Sequence, residues 1–278
     1  MTRALLVALA LSCFTTSICA QASPPAAEQP GTAAIKPAVK KPAPKAKARA
    51  KPQIAAESGP CRLGVISVIG DLFSVQKFGV TVFETEGSEI PIEDWGLDDL
   101  AVARVRSASG ADPTVRRIAY PKGAFEPFYN PKSRFLPDPR EGLPAIVRSI
   151  TANANCERYL VVTTFKGELP GTHLVLNGIG TYNQGLGSLL RHSHLFANIS
   201  VNVIDGRTYE KIDRPFANFG TRLSEGLRIM EDPLTKLDNS FFPEPPAAAS
   251  KSATLRERTR ALVAARLDQT LPDYLKEQ

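Results

Sequence analysis

Asp138-Pro139-Arg140-Glu141-Gly142-Leu143-Pro144-Ala145-Ile146-Val147-Arg148-Ser149-Ile150 and, a few residues on, Arg158-Tyr159-Leu160-Val161-Val162-Thr163-Thr164-Phe165 decide the fold class. The first stretch opens with the chemistry of a helix start: an acceptor at the N-cap, proline at N1 and glutamate at N3. Leu143, Ile146, Val147 and Ile150 then recur at i, i+3, i+4 and i+7, a stripe that faces a core. Pro144 conflicts with this, because it removes a backbone donor inside the first turns; the helix either starts later or kinks there. The second stretch is a short, continuous apolar run, the pattern of a strand buried on both faces. A matching run, Arg62-Leu63-Gly64-Val65-Ile66-Ser67-Val68-Ile69-Gly70, lies upstream. Strand, helix, strand in this order is what a parallel pairing requires.

Outward from this unit, Ser74 to Thr85 alternates less cleanly but carries Phe78, Val80, Val82 and Phe83, and is expected to pair beside the first strand. Leu97 to Ser109 reads as a helix, with Leu97, Leu100, Ala101, Val105 and Ala108 on one side and Asp98 and Asp99 at its positive end. Arg116 to Tyr120 reads as a short strand. After Phe165 the character turns antiparallel: His173 to Asn183, His192 to Ile204 and Arg207 to Ile212 read as strands. Asp205-Gly206 between the last two is a two-residue hairpin signal. Helices are expected at Phe219 to Met230 and from Thr254, where Thr254 and Glu257 offer a capping box ahead of Leu255, Leu262, Val263 and Leu267. The fold class is therefore α/β (α+β): a single domain over 61–278, in two or three layers. It has a mixed sheet, a strand–helix–strand core, further antiparallel strands and a C-terminal helix.

The chain opens differently. Met1-Thr2-Arg3 and the apolar Ala4 to Phe14 lead to Ala20-Gln21-Ala22, the small-x-small pattern of a cleaved export signal over 1–22. That run is far short of the roughly 20 residues that span a bilayer, so no transmembrane span is expected in the mature chain. A bulky Ile18 just before Cys19 and too short an apolar run ahead of Cys13 make a lipid anchor the less favoured reading. Residues 23–60 are rich in Pro and Ala, lack aromatics and carry Lys36, Lys40, Lys41, Lys45, Lys47, Arg49 and Lys51. Such a segment buries too little apolar surface to order, and reads as a disordered linker that reaches on the order of 100 Å when extended.

The 278 residues hold 34 Lys+Arg and 28 Asp+Glu, a net +6. Arg3 leaves with the signal, and the seven linker cations against Glu28 and Glu57 hold all the remaining excess, so residues 61–278 balance. The basic charge belongs to the linker. A nucleic-acid-binding domain would show a basic face and a recognisable module, so no nucleic acid is expected as a partner.

The mature chain keeps Cys61 and Cys156, each just ahead of a buried-strand pattern. Parallel neighbouring strands would set both at one sheet edge, within reach of a disulfide in an oxidising compartment. Two buried free thiols are the other reading.

Candidate chemistry is sparse. Gly70-Asp71-Leu72-Phe73-Ser74 resembles the first block of the exported SGNH-type esterases, but Leu72 stands where that family has its nucleophilic Ser, and no His follows His194. His192 and His194 share a face if extended, without the spacing of a metal site; no metal and no cofactor is expected. Gly178, Gly180, Gly185 and Gly187 fall in and after a strand, so a bulge or close backbone contact is expected there in place of a phosphate loop. Tyr120 to Pro139 interleaves five prolines with Tyr120, Phe125, Phe128, Tyr129 and Phe135. Aromatics on a stiff loop can form a binding surface at low entropy cost, or pack down over a sheet edge.

Between Tyr159 and Ile212 the order, with its turn Val203-Ile204-Asp205-Gly206-Arg207-Thr208-Tyr209-Glu210-Lys211-Ile212, is similar to the domain shared by the curli-secretion lipoproteins and the TolB N-terminal region. The chain also resembles proteobacterial exported proteins more broadly. The lipidated Cys and the pore-forming hairpin are not evident, so a secretion channel is not carried over. The expected function is that of a non-enzymatic exported protein, periplasmic or envelope-associated. Its tethered domain would bind an envelope protein or a cell-wall or lipid component. The alternative is an exported hydrolase or small-ligand-binding enzyme, with Asp71, Thr163, Thr164, His192 and His194 converging at the sheet's C-terminal edge.

Overall fold

The computed structural model describes residues 59–79, 85–132, 138–169, 172, 174–186, 190–212 and 234–275. Residues 1–58, which hold the expected export signal and nearly all of the expected linker, lie outside them, as do Phe135 and the helix expected at Phe219 to Met230. The strands are β1 (Cys61–Ser67), β2 (Leu72–Phe78), β3 (Glu86–Pro91), β4 (Val115–Arg117), β5 (Cys156–Thr164), β6 (Lys166–Glu168), β7 (Val175–Asn177), β8 (Ile179–Leu186), β9 (Leu190–Ala197), β10 (Ile199–Asp205), β11 (Lys211–Ile212) and β12 (Leu234–Leu237). The helices are α1 (Leu97–Ala108), α2 (Glu126–Tyr129), α3 (Leu143–Ile150), α4 (Ala253–Thr270) and α5 (Pro272–Leu275). The fold is mixed α/β, as the sequence predicts.

The strand–helix–strand unit forms the first sheet, ordered β11-β10-β5-β1-β4. β1 runs parallel to β5 with Val65 opposite Leu160, and Cys61 stands opposite Cys156. These two cysteines are joined in a disulfide, with Cα atoms 4.5 Å apart. Pro144 is accommodated by a late helix start. Asp138 caps a separate 3-10 turn over Pro139–Glu141, and α3 begins at Leu143 with Pro144 in its first turn, where the missing donor costs nothing.

The expectation of one sheet is corrected: β2 does not pair beside β1. It lies in a second sheet, ordered β12-β9-β8-β2-β3. Phe73 and Val75 on one face and Ser74 and Phe78 on the other are all buried, which marks a core strand but does not name its neighbour. The neighbour is set by close approach to β8, where a Cβ at Gly180 would fall 2.1 Å from the Ser74 carbonyl oxygen. The expected strand His192 to Ile204 is likewise divided between the sheets at Asn198. Its Nδ2 donates to the Leu176 carbonyl at 2.9 Å and its backbone N–H to the Gly178 carbonyl at 3.0 Å, which satisfies the crossing point outside either ladder.

One face of the first sheet (Leu63, Val65, Leu160, Val162, Val201, Val203) shares a core with α1, α4 and Phe73, Val75, Ile179 and Leu195 of the second sheet. Its other face is roofed by α3 and the aromatic loop. Ser252, not Thr254, caps α4, its hydroxyl accepting from Leu255 N–H. Arg260 of α4 donates to the carbonyls of Trp95 and Gly96 and so pins that helix to the start of α1. None of the described helices is long and apolar enough to cross a membrane.

Candidate functional site

Antiparallel pairing of β5 with β10 sets Thr163 opposite Ser200 and Val161 opposite Asn202. Side chains alternate across a strand, so Thr163, Ser200 and Asn202 share one sheet face with Val161, Tyr159 and Ile204. Over the apolar part of this face lie Phe125, Ile146 and Val147. The roof ends at Leu143 and Pro144, and beyond it the polar part of the face forms the floor of a cleft of about 290 Å³. Phe128 and Phe165 form apolar flanks, and Lys211, paired opposite Ile204, supplies a positive charge. Thr163 is 1 % exposed and Asn202 8 %, whereas Phe165 is 48 % exposed. Asn202 Nδ2 donates to Ser200 Oγ at 3.2 Å. The arrangement can grip an apolar body and hydrogen-bond a polar head.

The aromatic loop packs onto the end of the first sheet. Phe125 is buried and meets Tyr120 edge-to-face, with ring centroids 5.2 Å apart. Tyr120 Oη donates to the Ser67 carbonyl at 2.6 Å. Tyr129 Oη donates to the Val68 carbonyl and accepts from Thr164 N–H, both at 3.2 Å, and so bridges the ends of β1 and β5. Burial raises both phenols above the ordinary tyrosine value; the negative charges of Asp98 and Asp71 add to it for Tyr120, and the Thr164 hydrogen bond opposes it for Tyr129. Of the described loop aromatics, Phe128 is the one that lines the cleft.

Beneath the loop, Asp98 in the first turn of α1 accepts from Ser67 Oγ at 2.7 Å and from Ile69 N–H at 2.9 Å. Gly70 lies against it: a Cβ there would come within 2.8 Å of Asp98 Oδ2. Burial raises the Asp98 carboxyl above its usual range, against the two hydrogen bonds that favour its ionised form. The folded chain therefore holds this proton to higher pH than the unfolded chain. The resulting stability is complete below the unfolded aspartate value, about 3.9, and is lost as pH rises from there through the folded value. Asp98→Asn keeps the acceptor and removes the titration. Urea midpoints measured upward from about pH 4 should fall for the wild type relative to Asp98→Asn. A pH-independent offset between the two proteins would contradict this.

Thr163 and Thr164 thus meet Phe128 at the cleft, joining members of the two candidate groups. Asp71 is exposed at the exit of β1, its carbonyl accepting from Ile92 N–H at 3.0 Å. His192 and His194 sit on β9 of the second sheet, His194 stacked on Tyr182 with ring centroids 5.2 Å apart. Neither histidine nor Asp71 lines the cleft. Sequence reasoning missed Ser200, Asn202, Phe165 and Lys211. A signal was present: Ser200 and Asn202 occupy alternate positions beside Val201 and Val203, polar residues on a strand face that is apolar at Ile204.

Among the described residues, no group of three or more His, Cys, Asp or Glu could hold a metal ion. No family model, curated protein or solved structure matches this chain. The functional reading therefore rests on the cleft.

Proposed function

We propose that this chain is a non-enzymatic exported protein of the periplasm or envelope, and that its domain binds an envelope component in the cleft at the end of β5. The observation that carries the reading is the cleft itself, where an apolar wall meets hydroxyl and amide groups on a sheet face that is otherwise apolar. Its titratable lining group is Lys211, and the histidines that would serve a hydrolase lie on the other sheet, which favours binding over group transfer. The Cys61–Cys156 disulfide is compatible with export to an oxidising compartment.

A photo-cross-linking residue at position 165 tests the reading in cells that export the protein. An adduct is expected from position 165 and none from the exposed control position 241. Equal yields from both positions, or none from 165, would overturn the binding role. Recovery of the intact Met1 terminus on the folded protein would overturn the export half.

A further inference from the structure

We propose that the cleft takes a small amphipathic carboxylate: an apolar chain or ring that carries one negative charge. This rests on the binding role proposed above and adds the chemical class of the ligand. Three observations select it. The lining residues include a single formal charge, and it is positive: Lys211, exposed on β11. Opposite charge is what such a rim recognises, whereas a neutral head gains nothing from it and a cationic head is repelled.

The floor supplies hydrogen-bonding groups that a carboxylate uses. Thr163 and Ser200 stand on paired positions of β5 and β10, and Asn202 follows on the same face. Hydroxyl and amide N–H groups donate to an anion, and Lys211 adds a charge-assisted partner.

The flanks bury an apolar body. Phe128, Leu143, Pro144 and Phe165 offer no charged side chain, and the half-exposed Phe165 ring is a large apolar surface that a ligand would cover. At about 290 Å³ the space lies at the small end of ligand pockets, which fits one short chain or one ring and not a folded partner.

The test uses three probes of one length, octanoate, 1-octanol and octylamine, with phenylacetate to separate chain from ring. Binding to the folded domain is followed by calorimetry and by amide chemical shifts. Octanoate or phenylacetate is expected to shift the Thr163, Thr164, Ser200 and Asn202 amides; whichever binds tighter assigns the apolar body as chain or ring. Lys211→Gln should weaken the carboxylate about threefold and leave 1-octanol unchanged, since an ion pair with an exposed lysine is worth a few-fold in binding. Lys211 is exposed, so this variant folds.

If 1-octanol binds at these amides as tightly as octanoate, or Lys211→Gln leaves octanoate binding unaltered, the carboxylate assignment fails while the binding role stands. If octylamine binds best, the assignment fails with its sign reversed. If none of the probes shifts these amides, the assignment fails, and the cross-link from position 165 decides the binding role separately.

Discussion

Alanine at Gly206 should lower the melting temperature of the domain by about 10 °C, whereas alanine at Gly87 should leave it nearly unchanged. Gly206 N–H donates to the Glu157 carbonyl at 2.8 Å, which presses the turn after β10 against the start of β5. A Cβ on Gly206 would fall 1.9 Å from the Cys156 carbonyl oxygen and 2.8 Å from that of Glu157. Both obstacles are backbone, so neither can rotate aside. The turn would have to lift, and Tyr209 would lift with it. That ring stacks on Tyr159, with centroids 6.2 Å apart, and carries the Arg148 guanidinium 4.9 Å from its centroid. The expected cost is at or above the upper end of the 1–3 kcal/mol usual for overpacking. At Gly87 a Cβ would meet nothing within 4 Å. Thermal unfolding of the two variants side by side is the check, and matching melting temperatures would refute the close-approach account.

Loss of the Cys61–Cys156 bond is the second large effect. The bridge spans a sequence separation of 95 residues. In the chain-entropy picture, closing a loop of that length removes about 4–5 kcal/mol of unfolded-state freedom, of which proteins commonly realise less. The double replacement Cys61→Ser, Cys156→Ser is therefore expected to melt roughly 10 °C below the wild type in a domain of this size. Denatured, unreduced protein should take up no thiol label at either position. Labelling without reductant, or a double variant as stable as the wild type, would show that the bridge is not formed or does not constrain the chain.

The central unit was legible because its signals are local and agree with one another. The apolar runs of β1 and β5, the stripe of α3 and the two cysteines all point to one parallel pair. What the sequence did not disclose depends on distant partners. Phe73, Val75 and Phe78 mark β2 as a core strand, but only the approach of Gly180 to Ser74 assigns it to a second sheet. Asn198 divides an apparently continuous strand because its polar groups find Leu176 and Gly178 far along the chain.

Asp205-Gly206 does mark a hairpin, yet β11 begins only at Lys211. The connection is longer than the two-residue signal implies, with the Asp205 carboxylate accepting from the N–H groups of Arg207 and Thr208. Glycine is needed there for space against β5 and not for turn conformation, a reason invisible to local pattern. For the Tyr120–Pro139 loop the sequence leaves two readings, a binding surface and a cover for the sheet edge, and Phe135 lies outside the described residues. Tyr120, Phe125 and Tyr129 pack onto the sheet, and Phe128 reaches the cleft. Of the cleft's polar floor the sequence singles out Thr163 but not Ser200 or Asn202, because β5 and β10 meet only after pairing.

The bridge opposite the first residue of β1 has a mechanical consequence. A pull on the segment ahead of Cys61 enters the domain at the very start of β1. Hydrogen bonds between parallel strands would ordinarily carry that load in shear. Here the covalent link diverts it at once to β5, the middle strand of its sheet. Tension applied ahead of Cys61 would therefore reach β5 through a covalent bond as well as through the β1–β5 ladder.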